Sequence, residues 1–511
     1  MATPNFEIIK PDLTAQVRFP IDISVISIFK ECTPKILVVT DGLGFTATDF
    51  GLTDFVNTLK TSTIHGMTPI VETALHQRSG TADHSNFFFT STSLSITDYD
   101  VLFLFGASGP TLNSTEIGVI EDFMDAGGGV FGTGDHSLLG KPLCGDIKRL
   151  KDMRLWNGPS ASSDQRLSTT GPGTNNVFDF NDQSDSIPQK IYPAYTGTPS
   201  SSEPHALLQH PTKNIIEVLP DHAHESECIV PASVSDASIW PYDSAGNEVS
   251  PQLVALSVSY GGGISTHSKQ PISEPRCFGA IGAYDGHETD DCVGRIAVDA
   301  TWHHFININL IATTSGTGII ADADAYDRVN TYFRNIAEWL MPKKVRKCLR
   351  WPILVSVRDL YPIGEFLMEA ETKELDLDTA LELGRELRST LRRFLSQAKV
   401  SEFEDDLIEL ANPRLKYRLR SLRDSKKLKD AITKDFATED LYRLTSAGAA
   451  IYTVSKLLHN SDDIASTFKK VDGTKGLEAH CKEHIDVCFK LLNNELARGR
   501  AALDELLEAF N

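Results

Sequence analysis

Residues 99–136 read YDVLFLFGASGPTLNSTEIGVIEDFMDAGGGVFGTGDH. Val101–Phe105 is a short apolar run of the kind that forms a buried strand. From Ser114 to Ala126 the apolar residues Ile117, Ile120 and Phe123 recur at helical spacing, with Ser114 suited to the N-cap and Glu116 to the first turn. Gly127-Gly128-Gly129 stops that helix, and Val130–Thr133 returns to a strand-like run. Strand, helix and strand within Val101–Thr133 are the crossover unit of a parallel sheet.

The alternation extends on both sides. Lys35–Thr40 reads as another buried strand; Ile215–Leu219, Leu253–Ser259, Cys277–Tyr284 and Arg295–Val298 follow, and an amphipathic helix at about Asp322–Leu340 closes the unit. Over 158–204, Ser, Thr, Asn, Gly and Pro dominate, which predicts a surface excursion long enough to cover a site. After the basic stretch Pro342–Arg350, the segments 374–398, 402–411, 414–434, 437–459 and 475–509 carry helical periodicity, so a helical bundle is expected. The expected division is an α/β domain over 1–343, a basic linker at 344–350 and a helical domain over 351–511. A fragment ending near 345 is expected to fold alone.

Composition sets the limits. At roughly 150 residues per domain, 511 residues make about three domains, or two if one is a large α/β unit. A chain 41% apolar and 23% charged is neither disordered, collagenous nor membrane-embedded. The longest apolar runs, around Ile23–Phe29 and Val101–Ala107, are too short to span a bilayer, and Glu7 and Asp12 stand where a secretory signal needs a basic and then an apolar stretch. A cytoplasmic protein without a membrane partner is expected. Eight cysteines without a CxxC pair are expected to be reduced thiols. Residues 346–511 hold 28 basic and 29 acidic residues, which leaves 21 basic against 40 acidic before them. That acidity argues against nucleic-acid binding at the α/β domain, because such binding depends on phosphate neutralisation by Lys and Arg.

The chemistry-bearing residues cluster just past predicted strands. Asp41 follows ILVVT, Asp135-His136 follows VFGTG, Asp221-His222-Ala223-His224-Glu225 follows IIEVLP, Asp285-Gly286-His287-Glu288 follows FGAIGAY, and Asp299 with His303-His304 follows RIAV. The carboxyl ends of parallel strands form one rim, where open α/β sheets bind ligands, so these groups are expected to converge. His136, His222, His224, His287 and His303 are candidate ligands for Zn²⁺, Mn²⁺ or Fe²⁺; Asp135, His136, Glu225 and Asp285 are candidate acids or bases, with or without a metal. Asp and His also suit turns at strand ends, so a purely structural role stays open. Gly42 and Gly44 complete no dinucleotide or phosphate-loop pattern, and no nucleotide cofactor is expected. His480-Cys481-Lys482-Glu483-His484 matches a metalloprotease pattern without its fold context. The basic run Arg414–Lys434 reads as a solvated helix face or a phosphate contact.

The stretch quoted first, followed by GRIAVDATWHHFININL and a helix before residue 341, resembles the ThuA-like branch of the class I glutamine amidotransferase-like superfamily over about residues 33–342. GDHSLLGKPLCGDIKRLKDMRLW and LPDHAHESE are similar to an uncharacterised bacterial group within it. The resemblance implies a flavodoxin-like open, mainly parallel sheet, here followed by an all-α domain. In the amidotransferases a strand ends in the nucleophile elbow G-x-C-x-G; Gly132-Thr133-Gly134-Asp135-His136 is the matching stretch, with Gly134 at the cysteine's place. ThuA-like proteins carry a histidine near this elbow and are associated with sugar metabolism, which implies His136 at the site and a carbohydrate-like substrate.

Two functions follow as expectations. One is a cytosolic hydrolase or lyase of a small polar substrate that works through Asp and His, without a cysteine nucleophile, Cys144 included. The other is an assembly or signalling protein in which 351–511 self-associates or binds a partner and the α/β domain senses or acts on a ligand.

Overall fold

The computed structural model describes residues 25, 28–135, 138–156, 188–196, 203–221, 226–259, 276–313, 318–358, 360, 363–370, 374–415, 432–458 and 464–509. In chain order the first part comprises β1 (Lys35–Thr40), α1 (Thr53–Thr61), β2 (Ile70–His76), β3 (His84–Phe87), β4 (Val101–Phe105), α2 (Ser114–Asp125), β5 (Gly129–Thr133), α3 (Lys141–Cys144), β6 (Gln189–Pro193), β7 (Val218–Leu219), β8 (Gln252–Ser259), β9 (Arg276–Tyr284), β10 (Ile296–Asp299), α4 (Asn307–Ile311) and α5 (Ala323–Trp339). The strands form one ten-stranded sheet in the order β7-β6-β8-β9-β10-β5-β4-β1-β2-β3.

The six strands from β10 to β3 are parallel, while β9, β8, β6 and β7 each run antiparallel to the neighbour before them. β4 and β5 are buried along their whole length, as strands covered on both faces must be. On one face Phe55 of α1 meets the rings of Phe103, Phe105, Phe305 and Phe333 at 5.1–5.4 Å, so strand β4, the turn after β10 and helix α5 are packed around one aromatic centre. The register aligns the carboxyl ends: Thr40 lies opposite Leu75 and Phe105, Phe105 opposite Thr133, and Thr133 opposite Asp299.

Helix α2 forms where its periodicity predicts, but its cap is Asn113 rather than Ser114. The Asn113 side chain accepts from the Thr115 and Glu116 amides while Glu116 reaches back to the Asn113 amide, a reciprocal box that satisfies otherwise orphaned donors. Part of the predicted excursion over 158–204 is inside the sheet: β6 pairs with β7 and β8 and buries Ile191. The Ile215–Leu219 run is broken, Asn214–Ile215 forming a two-residue bridge elsewhere and Val218–Leu219 forming β7.

After Pro342 every element among the described residues is a helix: α6 (Lys343–Val357), α7 (Ile363–Ala370), α8 (Leu377–Leu391), α9 (Gln397–Ala411), α10 (Ile432–Leu458), α11 (Ile464–Lys470) and α12 (Gly473–Ala509). The predicted linker 344–350 is therefore the first two turns of α6. Its basic residues fall at helical spacing and face acids: Arg346 pairs with Glu402 and Asp406, Lys347 with Glu409, and Arg350 with Glu478. Residues 416–431 of the basic run lie outside the described residues.

The apolar core continues across residue 343, with Leu340, Met341, Leu349 and Trp351 in one cluster. Arg295 joins Asp285 to Glu402 of α9, and Lys399 of α9 pairs with Glu338 of α5. The expectation that all eight cysteines are reduced is corrected: Cys32, in the turn before β1, is disulfide-bonded to Cys348 of α6. Residues so far apart in sequence are brought together only by the fold, which is why spacing gave no sign of the pair.

Candidate functional site

At the carboxyl edge of the parallel strands, Asp41 follows β1, Asp135 follows β5 and Asp299 ends β10. Asp299 is a structural anchor. Fully buried, it lies 2.7 Å from His304 Nδ1 and accepts from the Tyr332 hydroxyl at 2.7 Å, tying the turn after β10 to α5. Asp41 accepts from the amides of Ala107 at 2.5 Å and Gly109 at 3.0 Å and so fixes the loop after β4; burial raises its pKa and those amides counteract the rise.

The turn 301–305 presents His303. Thr301 caps it, its Oγ1 accepting from the His303 amide at 3.1 Å and donating to Asp135 Oδ1 at 3.0 Å. The His303 ring then lies between two carboxylates, Nε2 3.5 Å from Asp135 Oδ2 and Nδ1 3.3 Å from Asp221 Oδ2. Asn309 of α4 donates to Asp221 Oδ2 at 2.7 Å and to the His303 carbonyl at 3.0 Å. The His303 side chain is 17% exposed, whereas those of Asp135 and Asp221 are 0% and 5% exposed. Trp302 stacks on the imidazole at 4.5 Å, and the exposed Phe50 ring stands edge-on to Trp302 at 5.9 Å. Below the site the buried Arg154 donates to the Asp135 and Ala300 carbonyls at 3.0 and 2.7 Å and locks the two strand ends together.

Chemically, this is an accessible imidazole backed by two buried carboxylates. An imidazolium formed there meets compensating charge on both sides, so the ring is placed to exchange protons with a bound molecule. The thiol alternative is poorly placed. Cys144 is fully buried, and burial, followed by the nearby Asp41, pushes its thiol pKa up. At Gly134, a Cβ would run into the Leu139 carbonyl oxygen and Gly140 Cα, so this backbone does not accept a side chain at the elbow position.

The candidates from sequence are only partly brought together. Asp135 and His303 meet. His136, His222, His224 and Glu225 lie outside the described residues. Asp285 and His287 do not join them, and the expected convergence is corrected here: Tyr284 lies opposite Ile296, the start of β10, so the antiparallel β9 delivers both residues to the opposite edge of the sheet. There Asp285 is clamped by Arg295, and His287 is buried with neither ring nitrogen hydrogen-bonded among the described residues. Burial, reinforced by Arg295 and Arg346, drives the His287 pKa well below its usual value. Among the described residues no group of three or more His, Cys, Asp or Glu side chains is arranged to hold a metal ion.

Sequence reading missed Asn309, Arg154 and the buried pair of His76 with Glu116, whose Nε2 and Oε1 are 2.9 Å apart. His76 ends β2 and so obeyed the strand-end rule that found the others. Among the described residues, no helix is long and apolar enough to cross a membrane. No family model and no curated protein matches the chain.

Proposed function

We propose that the carboxyl edge around His303 is the active site of a hydrolase or lyase acting on a small polar, carbohydrate-like substrate. The observation that carries this reading is the partly exposed imidazole held between the buried carboxylates of Asp135 and Asp221. His303 takes a proton from a substrate hydroxyl or an attacking water and returns it to the leaving oxygen; Asp135 and Asp221 orient the ring and balance its charge. The exposed Phe50 ring, braced edge-on by the buried Trp302, suits the apolar face of a sugar-like ring. His136, His222, His224 and Glu225 belong to the same proposal. In sequence they adjoin Asp135 and Asp221, and a divalent ion bound through them would polarise substrate or water.

The six-stranded parallel run is compatible with a flavodoxin-like, class I glutamine amidotransferase-like assignment, and the motif resemblance to the ThuA-like branch belongs to the same proposal. A cytoplasmic location belongs to the same proposal, and in that compartment the Cys32–Cys348 bond would be open to reduction. The test is product formation from a panel of sugar lactones, sugar esters and polyols, with and without chelator, for the wild type and His303→Gln. Turnover that His303→Gln abolishes supports the reading; turnover that survives it, or a panel without any turnover, counts against it.

A second reading rests on α12, where Val487 and Leu491, one turn apart, are 44% and 37% exposed. Self-association through the helical part would cover them, and a mass measurement in solution against Val487→Glu decides it.

A further inference from the structure

The amino edge of the sheet carries a second feature, away from His303. A cavity of about 500 Å³ opens beside the margin strand β3, between the starts of β1, β2 and β3 and the turn before β4. Ile70 and Phe87 give it an apolar wall, and Glu72, His84, Asp98 and Tyr99 give it polar groups. Three of these are already organised. Glu72 Oε2 accepts from the Tyr99 hydroxyl and lies 2.8 Å from His84 Nε2, while Oε1 has no hydrogen bond among the described residues. The His84 and Glu72 side chains are 41% and 39% exposed, so a solute reaches them without displacing the fold.

The electrostatics favour a positive guest. His84 and Tyr99 hold the Glu72 carboxyl below its usual range, so at neutral pH it is a fixed anion rather than a proton donor. The Tyr99 phenol pKa is pushed up first by burial, then by the hydrogen bond to Glu72, and further by the nearby charges of Glu72, Asp98 and Asp83. Lys35, the cation on the wall, donates from its ammonium to the Thr97 carbonyl at 3.2 Å, and its charge also acts on Asp100; against it stand the two carboxylates of Glu72 and Asp98. An ionised carboxylate with an unused oxygen, a second carboxylate, and aromatic and aliphatic walls match a cation on a short apolar stem.

We propose that this amino-edge pocket binds an alkylammonium or guanidinium group, held by Glu72 and Asp98 with its stem against Ile70 and Phe87. Such a group comes either as a free small amine or as a basic side chain of a peptide lying along the open edge of β3, and the chemistry is common to both. The proposal is independent of the His303 site, which lies at the opposite edge.

Isothermal titration of the full chain with agmatine, butylamine, butanol and butyrate tests it, with acetyl-lysine and acetyl-arginine amides and a lysine-bearing extended peptide as further arms. Saturable binding of the cations on the order of millimolar, absent for butanol and butyrate, is expected, and Glu72→Gln and Asp98→Asn should each weaken it about fivefold. His303→Gln should leave it unchanged. A peptide that binds much better than its capped residue assigns the edge strand as the source; equal affinities assign a free amine. Absence of saturable binding by every cation, equal binding of butyrate, or an undiminished affinity in Asp98→Asn and in folded Glu72→Gln overturns the proposal.

Discussion

His303 has a buried carboxylate within 3.5 Å of each ring nitrogen, so its replacement takes one partner from Asp135, which keeps Thr301, and one from Asp221, which keeps Asn309, as well as removing the acid–base group. His303→Gln keeps hydrogen-bonding capacity at one position but cannot carry the proton; a loss on the order of a hundredfold in turnover is expected once a substrate is in hand. Cys144→Ser should stay within about threefold, because a buried thiol with a raised pKa supplies little nucleophile. Thiol alkylation that abolishes turnover through Cys144 would reverse that assignment. At this scale the sequence pointed well to Asp135 and His303, since both obey the strand-end rule. Asp221 was found by the same rule, but Asn309 was harder to see, because its contact joins α4 to the loop after β7 and no local pattern records it.

For helix α2, the reciprocal cap between Asn113 and Glu116 also carries His76 and the Phe89 amide on the Glu116 carboxylate. Asn113→Ala should therefore cost about 1 kcal/mol for the lost cap, read from urea unfolding. A larger loss would mean that the His76 contact fails with it. Gly134→Ala should cost more, on the order of 2 kcal/mol, since its Cβ meets the backbone of Leu139 and Gly140 and neither can move without disturbing the start of α3. Elements were legible because periodicity reports burial: β1, β4, β5 and α2 all stand where their apolar residues place them. Direction was not. An apolar run reads the same from either end, so nothing in Cys277–Tyr284 announced that β9 runs antiparallel, and that reversal alone carried Asp285 and His287 to the far edge.

Across the whole molecule, the contrast in composition near residue 345 marks a real change from sheet to helices, but charge counts did not reveal that the two parts are stitched together. A fragment ending at 343 would expose Leu340 and Met341 and strip Glu402 from Arg295 and Lys399 from Glu338, so it should unfold at lower denaturant than the full chain or aggregate. An unchanged urea midpoint would restore the independent domain expected from sequence. The same junction makes stability sensitive to acid. Burial would raise the Glu338 pKa, but Lys399 and His65 hold it at about 2, below its ordinary 4.5. The folded state thus binds fewer protons than the unfolded one between those values. The contribution, about 3 kcal/mol, is complete above pH 4.5 and is lost as pH falls toward 2. Glu338→Gln should flatten the fall in unfolding free energy between pH 5 and 3.

The bond between Cys32 and Cys348 turns the intervening chain into a covalent ring, with the sheet inside it and the helices as a tail. A protease that cuts once within the ring opens it without releasing anything: the two pieces migrate as one on a non-reducing gel and separate only with thiol. A cut in the tail releases a fragment under either condition. Where the bond forms, the sheet keeps its connection to α6 through any single nick, and in a reducing compartment that protection is withdrawn.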